Sequence, residues 1–235
     1  MAALAALGLG CPPAQVARGT PLPARSVPQE IVVRTSAFVF QMGGRADATW
    51  PLHADRTYEA LARETSVLLT EEDALVPLVA QQLGFSWPPE PLDFDVVLAE
   101  SGGGGPCAGA LASRVDLDAD HPEPVGFFAC VLRRGIARVA SKSAVAQAIE
   151  RVRDGAPEPA RDATAGLYGC ISAYAVTSVL VVRVPGSARV LAAPLEQACT
   201  RPALAWVSRR WLSRVRDEVT PESFGEEAAR TVGVP

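Results

Sequence analysis

The apolar and polar positions of the chain fall into a few strand-like runs followed by mostly helical ones. Ile31–Phe40 is β-branched and aromatic and predicts a strand that ends at Gly43-Gly44. Over residues 54–69, Tyr58, Leu61 and Leu68 recur at helical spacing. Thr70-Glu71-Glu72-Asp73 resembles a helix cap with acidic residues in the first turn, opening a helix that runs to about Leu83 and stops at Gly84. Pro88, Pro89 and Pro91 mark a connector. Two short strands follow, Phe94–Ala99 and Ala112–Leu117, separated by the Gly-rich loop at 101–106. Pro122 and Pro124 then lead into a helix over Val125–Ala140, and a further helix covers Ala144–Arg153. Residues 167–183 read as helix or strand, Ala188–Ala193 as a strand, and Leu204–Val219 as an amphipathic helix. On that helix Leu204, Val207, Trp211 and Val215 share one side, and Arg209, Arg210, Arg214 and Arg216 read as a solvated face. The tail 221–235 is expected to fray. This order predicts an α+β fold, a small mixed or antiparallel sheet packed with several helices, rather than repeating βαβ units. Residues 163–182 carry no charge and are long enough to span a bilayer as a helix. Their Gly, Ser, Thr and Tyr content favours a buried helix-plus-strand pair instead.

Composition narrows the function classes. The 235 residues are 49% hydrophobic and 20% charged, enough to bury one domain and too apolar for a mainly disordered chain. A net charge of −4 argues against a broad electrostatic grip on nucleic acid. Of the basic residues only Lys142 is a lysine, an imbalance that fits a GC-rich bacterial genome. No internal repeat is evident.

The first residues, MAALAALGLGC, form a short apolar run with small residues before Cys11. This is the kind of site a lipoprotein signal peptidase accepts, with Cys11 then acylated. The segment to Pro28 is rich in Pro, Ala and Arg and reads as a tether. The expected organisation is therefore 1–29 as signal and tether, 30–220 as one domain, and 221–235 as tail. The protein is expected outside the cytoplasm, attached to the membrane through a lipid anchor only. With Cys11 set aside, Cys107, Cys130, Cys170 and Cys199 remain, enough for two disulfides in any of three pairings. Four buried free thiols are the alternative.

Candidate chemistry is sparse. His53 and His121 are the two histidines, and no CxxC pair occurs, so a zinc site is poorly supplied. The Gly-rich loop lacks the Lys-Ser/Thr of a phosphate-binding loop, and Ser101 has no Gly-x-Ser-x-Gly around it. Asp116, Asp118 and Asp120 alternate as in the first half of a calcium loop, but His121 and Phe127 stand where the glycine and closing glutamate belong. His121 and Cys130 are the nearest thiol–imidazole pair. No cofactor is expected.

Residues 112–140 combine an edge-like strand, a polar turn and a helix. Within that helix Arg134-Gly135-Ile136-Ala137-Arg138, with its apolar flanks, is similar in spacing to the His-Glu-x-x-His pentad of zinc peptidases. Downstream, Ser172-Ala173-Tyr174-Ala175-Val176-Thr177 resembles the Ser-x-Tyr-Ala-x-Thr stretch of gluzincin-type metallopeptidases, and Cys107-Ala108 resembles part of a Gly-Cys-Ala element of such proteins. The resemblance, covering roughly residues 30–184, implies a zincin-like domain. Its metal site is lost: Arg134, Gly135 and Arg138 replace the pentad, and Val181, within Val179–Val182, stands where the third ligand would follow. Arginine offers no lone pair to zinc. A relic cleft lined by Arg134, Arg138 and Tyr174 would suit an anionic or carboxylate-bearing ligand, or another envelope protein. Two rivals stand beside this expectation. One is an active hydrolase drawing on His121, Asp118, Asp120 and Cys130; the other is a structural subunit of an envelope assembly.

Overall fold

The structure, a computed structural model, describes residues 31–34, 36–42, 74–99, 114–118 and 124–233. The expected helix at 54–69, the Gly-rich loop, the segment 1–29 with Cys11, and His53, Cys107, Asp120 and His121 lie outside the described residues. The fold is α+β, with a four-stranded mixed sheet ordered β1-β2-β3-β4.

Strand β1 (Ile31–Arg34) runs antiparallel to β2 (Phe38–Met42), with Arg34 opposite Val39 and Ile31 opposite Met42. The single strand expected over 31–40 is thus a hairpin. Arg34-Thr35-Ser36 interrupts its apolar run only briefly, and no Gly, Pro, Asn or Asp marks the reversal, so the turn signal is weak. Strand β3 (Leu92–Ala99) pairs parallel with β2, and β4 (Arg114–Asp118) pairs parallel with β3 at the sheet edge.

Helix α1 (Leu75–Gln82) ends as the sequence predicts, at Gly84. Gly84 takes φ +75, the Phe85 N–H donates to the Ala80 carbonyl at 3.0 Å, and the Gly84 N–H donates to that of Gln81 at 3.0 Å. This is the Schellman closure, which needs a residue tolerant of the left-handed conformation. Helix α2 (Pro124–Arg138) follows β4, and α3 (Ala144–Asp154) begins at Ser143. The Ser143 hydroxyl accepts from the Ala146 N–H at 3.3 Å and donates to the Leu83 carbonyl at 2.6 Å. One buried side chain therefore caps α3 and ties it to the end of α1.

After α4 (Glu158–Thr164) and a break at Ala165-Gly166 comes α5 (Leu167–Arg183), so the uncharged stretch is helical on both sides of the break and contains no strand. Residues 158–183 are long and apolar enough to cross a membrane by length and composition alone. In this fold α5 packs against α1, α2, α3, α6 and α7, with Cys170, Ile171, Ala175, Val176 and Leu180 fully buried. Helix α6 (Ser187–Ala198) occupies the segment expected as a strand at 188–193. Its Ala, Arg and Leu content satisfies helix propensity, and its docking on α5 decides the matter.

Helices α7 (Arg201–Arg216) and α8 (Pro221–Val232) complete the chain. The tail expected to fray is therefore largely ordered. Thr220 caps α8, accepting from the Ser223 N–H at 3.2 Å, and Pro221 fills the first turn. Phe224, Ala228 and Ala229 bury one face, and Gly225 lies so close to α3 that an added Cβ would meet the Val145 carbonyl at 2.8 Å. Phe224 sits between Trp206 and Trp211, with ring centroids 5.1 and 5.7 Å away. Aromatic burial of this kind outweighs the tendency of a chain terminus to fray.

Candidate functional site

The edge strand β4 leads into α2, and the expected pentad lies in the last turns of that helix. Gly135, at the position of the catalytic glutamate in the resembled motif, faces the sheet. A Cβ there would lie 2.9 Å from Trp87 Cη2, 3.2 Å from Phe38 Cε1 and 3.3 Å from Leu92 Cδ1. Glycine is what lets α2 approach the sheet this closely, and the space a longer side chain would need is filled by rings.

Arg138 is exposed. Its Nη1 donates to the Asp93 carbonyl at 2.8 Å, and its guanidinium lies 5.4 Å from the centre of the Phe94 ring. It pins the C-terminal end of α2 to β3, where its charge also complements the helix dipole. Arg134 is half-buried and engaged with a partner. Arg133 donates to the Pro194 carbonyl of α6 at 3.2 Å, and burial, then the neighbouring Arg134, pulls its pKa down. Tyr174, on α5, meets Trp211 of α7 edge-on at 5.7 Å. Arg138 and Tyr174 thus address different neighbours, the sheet and α7. Val181 is 39% exposed near the end of α5 and offers only hydrocarbon.

The cysteines resolve part of the pairing question. Cys170, in the first turn of α5, is bridged to Cys199, just past α6, with Cα atoms 4.6 Å apart. Cys130 is buried and also disulfide-bonded. It therefore supplies no thiolate, which removes the Cys130–His121 nucleophile pair from consideration. Asp116 and Asp118 fall within β4, in strand geometry rather than a calcium loop. Among the described residues no group of three or more His, Cys, Asp and Glu lies together as a metal site.

The residue that sequence reasoning misplaced is Arg214. Expected on the solvated face of α7, it is 6% exposed. Its Nη2 donates to the Gln82 carbonyl at the end of α1, and its guanidinium lies 5.0 Å from the centre of Trp211 and 4.9 Å from that of Phe224. Burial pulls its pKa down to about 10. Below that value the folded state carries a charge it would shed more readily than the unfolded chain. The cost to stability is present at neutral pH and is relieved as pH rises above about 10. The signal was present in the spacing: Val207, Trp211 and Arg214 follow at i, i+4 and i+7, one buried stripe.

Comparison of the chain with protein-family models, with curated proteins and with solved structures finds no match in any of the three.

Proposed function

We propose that this chain is a non-catalytic binding or scaffold domain of the cell envelope, exported and held to the membrane through a lipid on Cys11. The observation that carries the reading is the Cys170–Cys199 bridge, joined by the disulfide at Cys130. Disulfides persist in oxidising compartments and are rare in a reducing cytosol. The finer reading is a zincin-like domain whose peptidase centre has been lost. Three features support it: β4 at the sheet edge leads into α2, α2 packs on the helix carrying Ser172 and Tyr174, and the base position holds Gly135 against Trp87. The partner is another envelope protein or an anionic ligand.

Elemental analysis of protein purified without chelator, and again after zinc loading, tests the loss of the centre. The expected result is no stoichiometric zinc in the folded protein. About one zinc held per chain would overturn it and point to ligands among His53, His121 and the acidic residues.

A second reading, a structural subunit of an envelope assembly, draws on the exposed apolar side chains Val182 (82%) on α5 and Leu212 (76%) on α7. In that case the protein purifies from its host with a fixed partner at constant stoichiometry.

A further inference from the structure

We propose that Arg214 anchors an oxyanion-binding site, suited to a carboxylate or phosphate group, where the end of α1 meets α7 and α8. The guanidinium is almost wholly buried, yet among the described residues it has no carboxylate partner. The acids of α8, and Asp217 just past α7, pair with other arginines. Glu222 and Glu226 engage Arg151, Glu226 also engages Arg230, Glu227 engages Arg210, and Asp217 engages Arg216. Compensation for the Arg214 charge is partial. One carbonyl at the C-terminal end of a helix and two ring faces attract it, but none carries a full negative charge. Its Nη1 is buried with no hydrogen-bond partner, as is Oε1 of Gln82, the residue whose carbonyl takes Nη2.

A guanidinium is a rigid fork of donors matched to the paired oxygens of a carboxylate or phosphate. Here the fork is held in place before any ligand arrives. Trp211 and Phe224 meet edge-on at 5.7 Å, and Trp206 backs Phe224. Gln81, the neighbour of Gln82 on α1, is exposed, so solvent begins one residue from the carbonyl that takes Nη2. A buried cation without a counter-charge lowers stability, and apolar replacements at such positions are often neutral or stabilising. An arginine kept at that cost fits a group whose counter-charge is brought by a ligand. The site rests on the surroundings of Arg214 alone; it can fail while the envelope reading and the lost metal centre stand, and the reverse also holds.

The test is calorimetric titration of the full chain with sodium phosphate and, separately, sodium acetate, at ionic strength matched with sodium chloride. The proposal expects saturable binding of at least one of the two, and which one binds separates phosphate from carboxylate sources. Arg214→Met should keep the fold and bind at least about tenfold more weakly. Arg214→Lys, which keeps the charge and loses the fork, serves as the second variant and should also bind more weakly. Absence of saturable heat with both anions in the folded wild-type protein would overturn the proposal. So would either folded variant binding as tightly as wild type.

Discussion

Gly135→Glu is expected to abolish stable folding rather than to restore a peptidase base. The first added carbon meets Trp87 at 2.9 Å and Phe38 at 3.2 Å, both behind a helix that cannot retreat without breaking the Arg138 contact to β3. Overpacking of this sort costs about 1–3 kcal/mol. The carboxylate then has to be buried against Phe38, Leu92 and Trp87, or expelled by lifting α2 from the sheet, which adds several kcal/mol more. The sum, more than about 4 kcal/mol, approaches the whole stability of a domain this size. Gly135→Ala isolates the steric part and should cost about 1–3 kcal/mol. Urea unfolding followed by circular dichroism measures both. A Gly135→Glu protein as stable as wild type would show that this face of α2 opens onto solvent, as an active-site helix does, and would undo the placement given above.

Gly84→Ala carries the next largest effect, and it reports on the joint between the two ends of the helical layer. At φ +75 a side chain costs about 1–2 kcal/mol. The new methyl would also lie 2.7 Å from Ala144 Cβ and 2.8 Å from Pro221 Cβ, so α3 and α8 must both give way. Adding about 1–3 kcal/mol for that clash brings the expected loss to roughly 3 kcal/mol. The same joint holds Ser143 on the Leu83 carbonyl and Arg214 on the Gln82 carbonyl, so its disturbance should propagate to the Arg214 site. A thermal melt within a degree of wild type would contradict this geometry.

What the sequence revealed follows the range over which each signal acts. Local signals read well. Gly84 stops α1, the prolines at 122 and 124 announce α2, and the alternation at Arg114–Asp118 marks β4. The reversal between β1 and β2 carries no Gly, Pro, Asn or Asp, only the weaker signal of Ser36, and α6 looks strand-like until α5 is placed beside it. Helix α8 had a legible start in Thr220-Pro221 and an apolar face in Phe224, Ala228 and Ala229, but its place at the chain terminus set the expectation of fraying instead. The candidate site was legible only as residue types. Whether Gly135 opens on a cleft or seals a contact depends on Trp87 and Phe38, which are distant in sequence. The burial of Arg214 depends on Phe224, contributed by a segment expected to fray. The cysteine pairing was open among three alternatives, and the meeting of the start of α5 with the end of α6 selects Cys170–Cys199.

We have proposed an exported, disulfide-bonded domain anchored through Cys11. The most direct test is peptide mapping of protein taken from the host with free thiols trapped at lysis and no reductant added. The account predicts a linked Cys170–Cys199 peptide, Cys130 in a disulfide, and Cys11 in no disulfide but carrying lipid. Free thiols at Cys130, Cys170 and Cys199, or a bridge that includes Cys11, would contradict it.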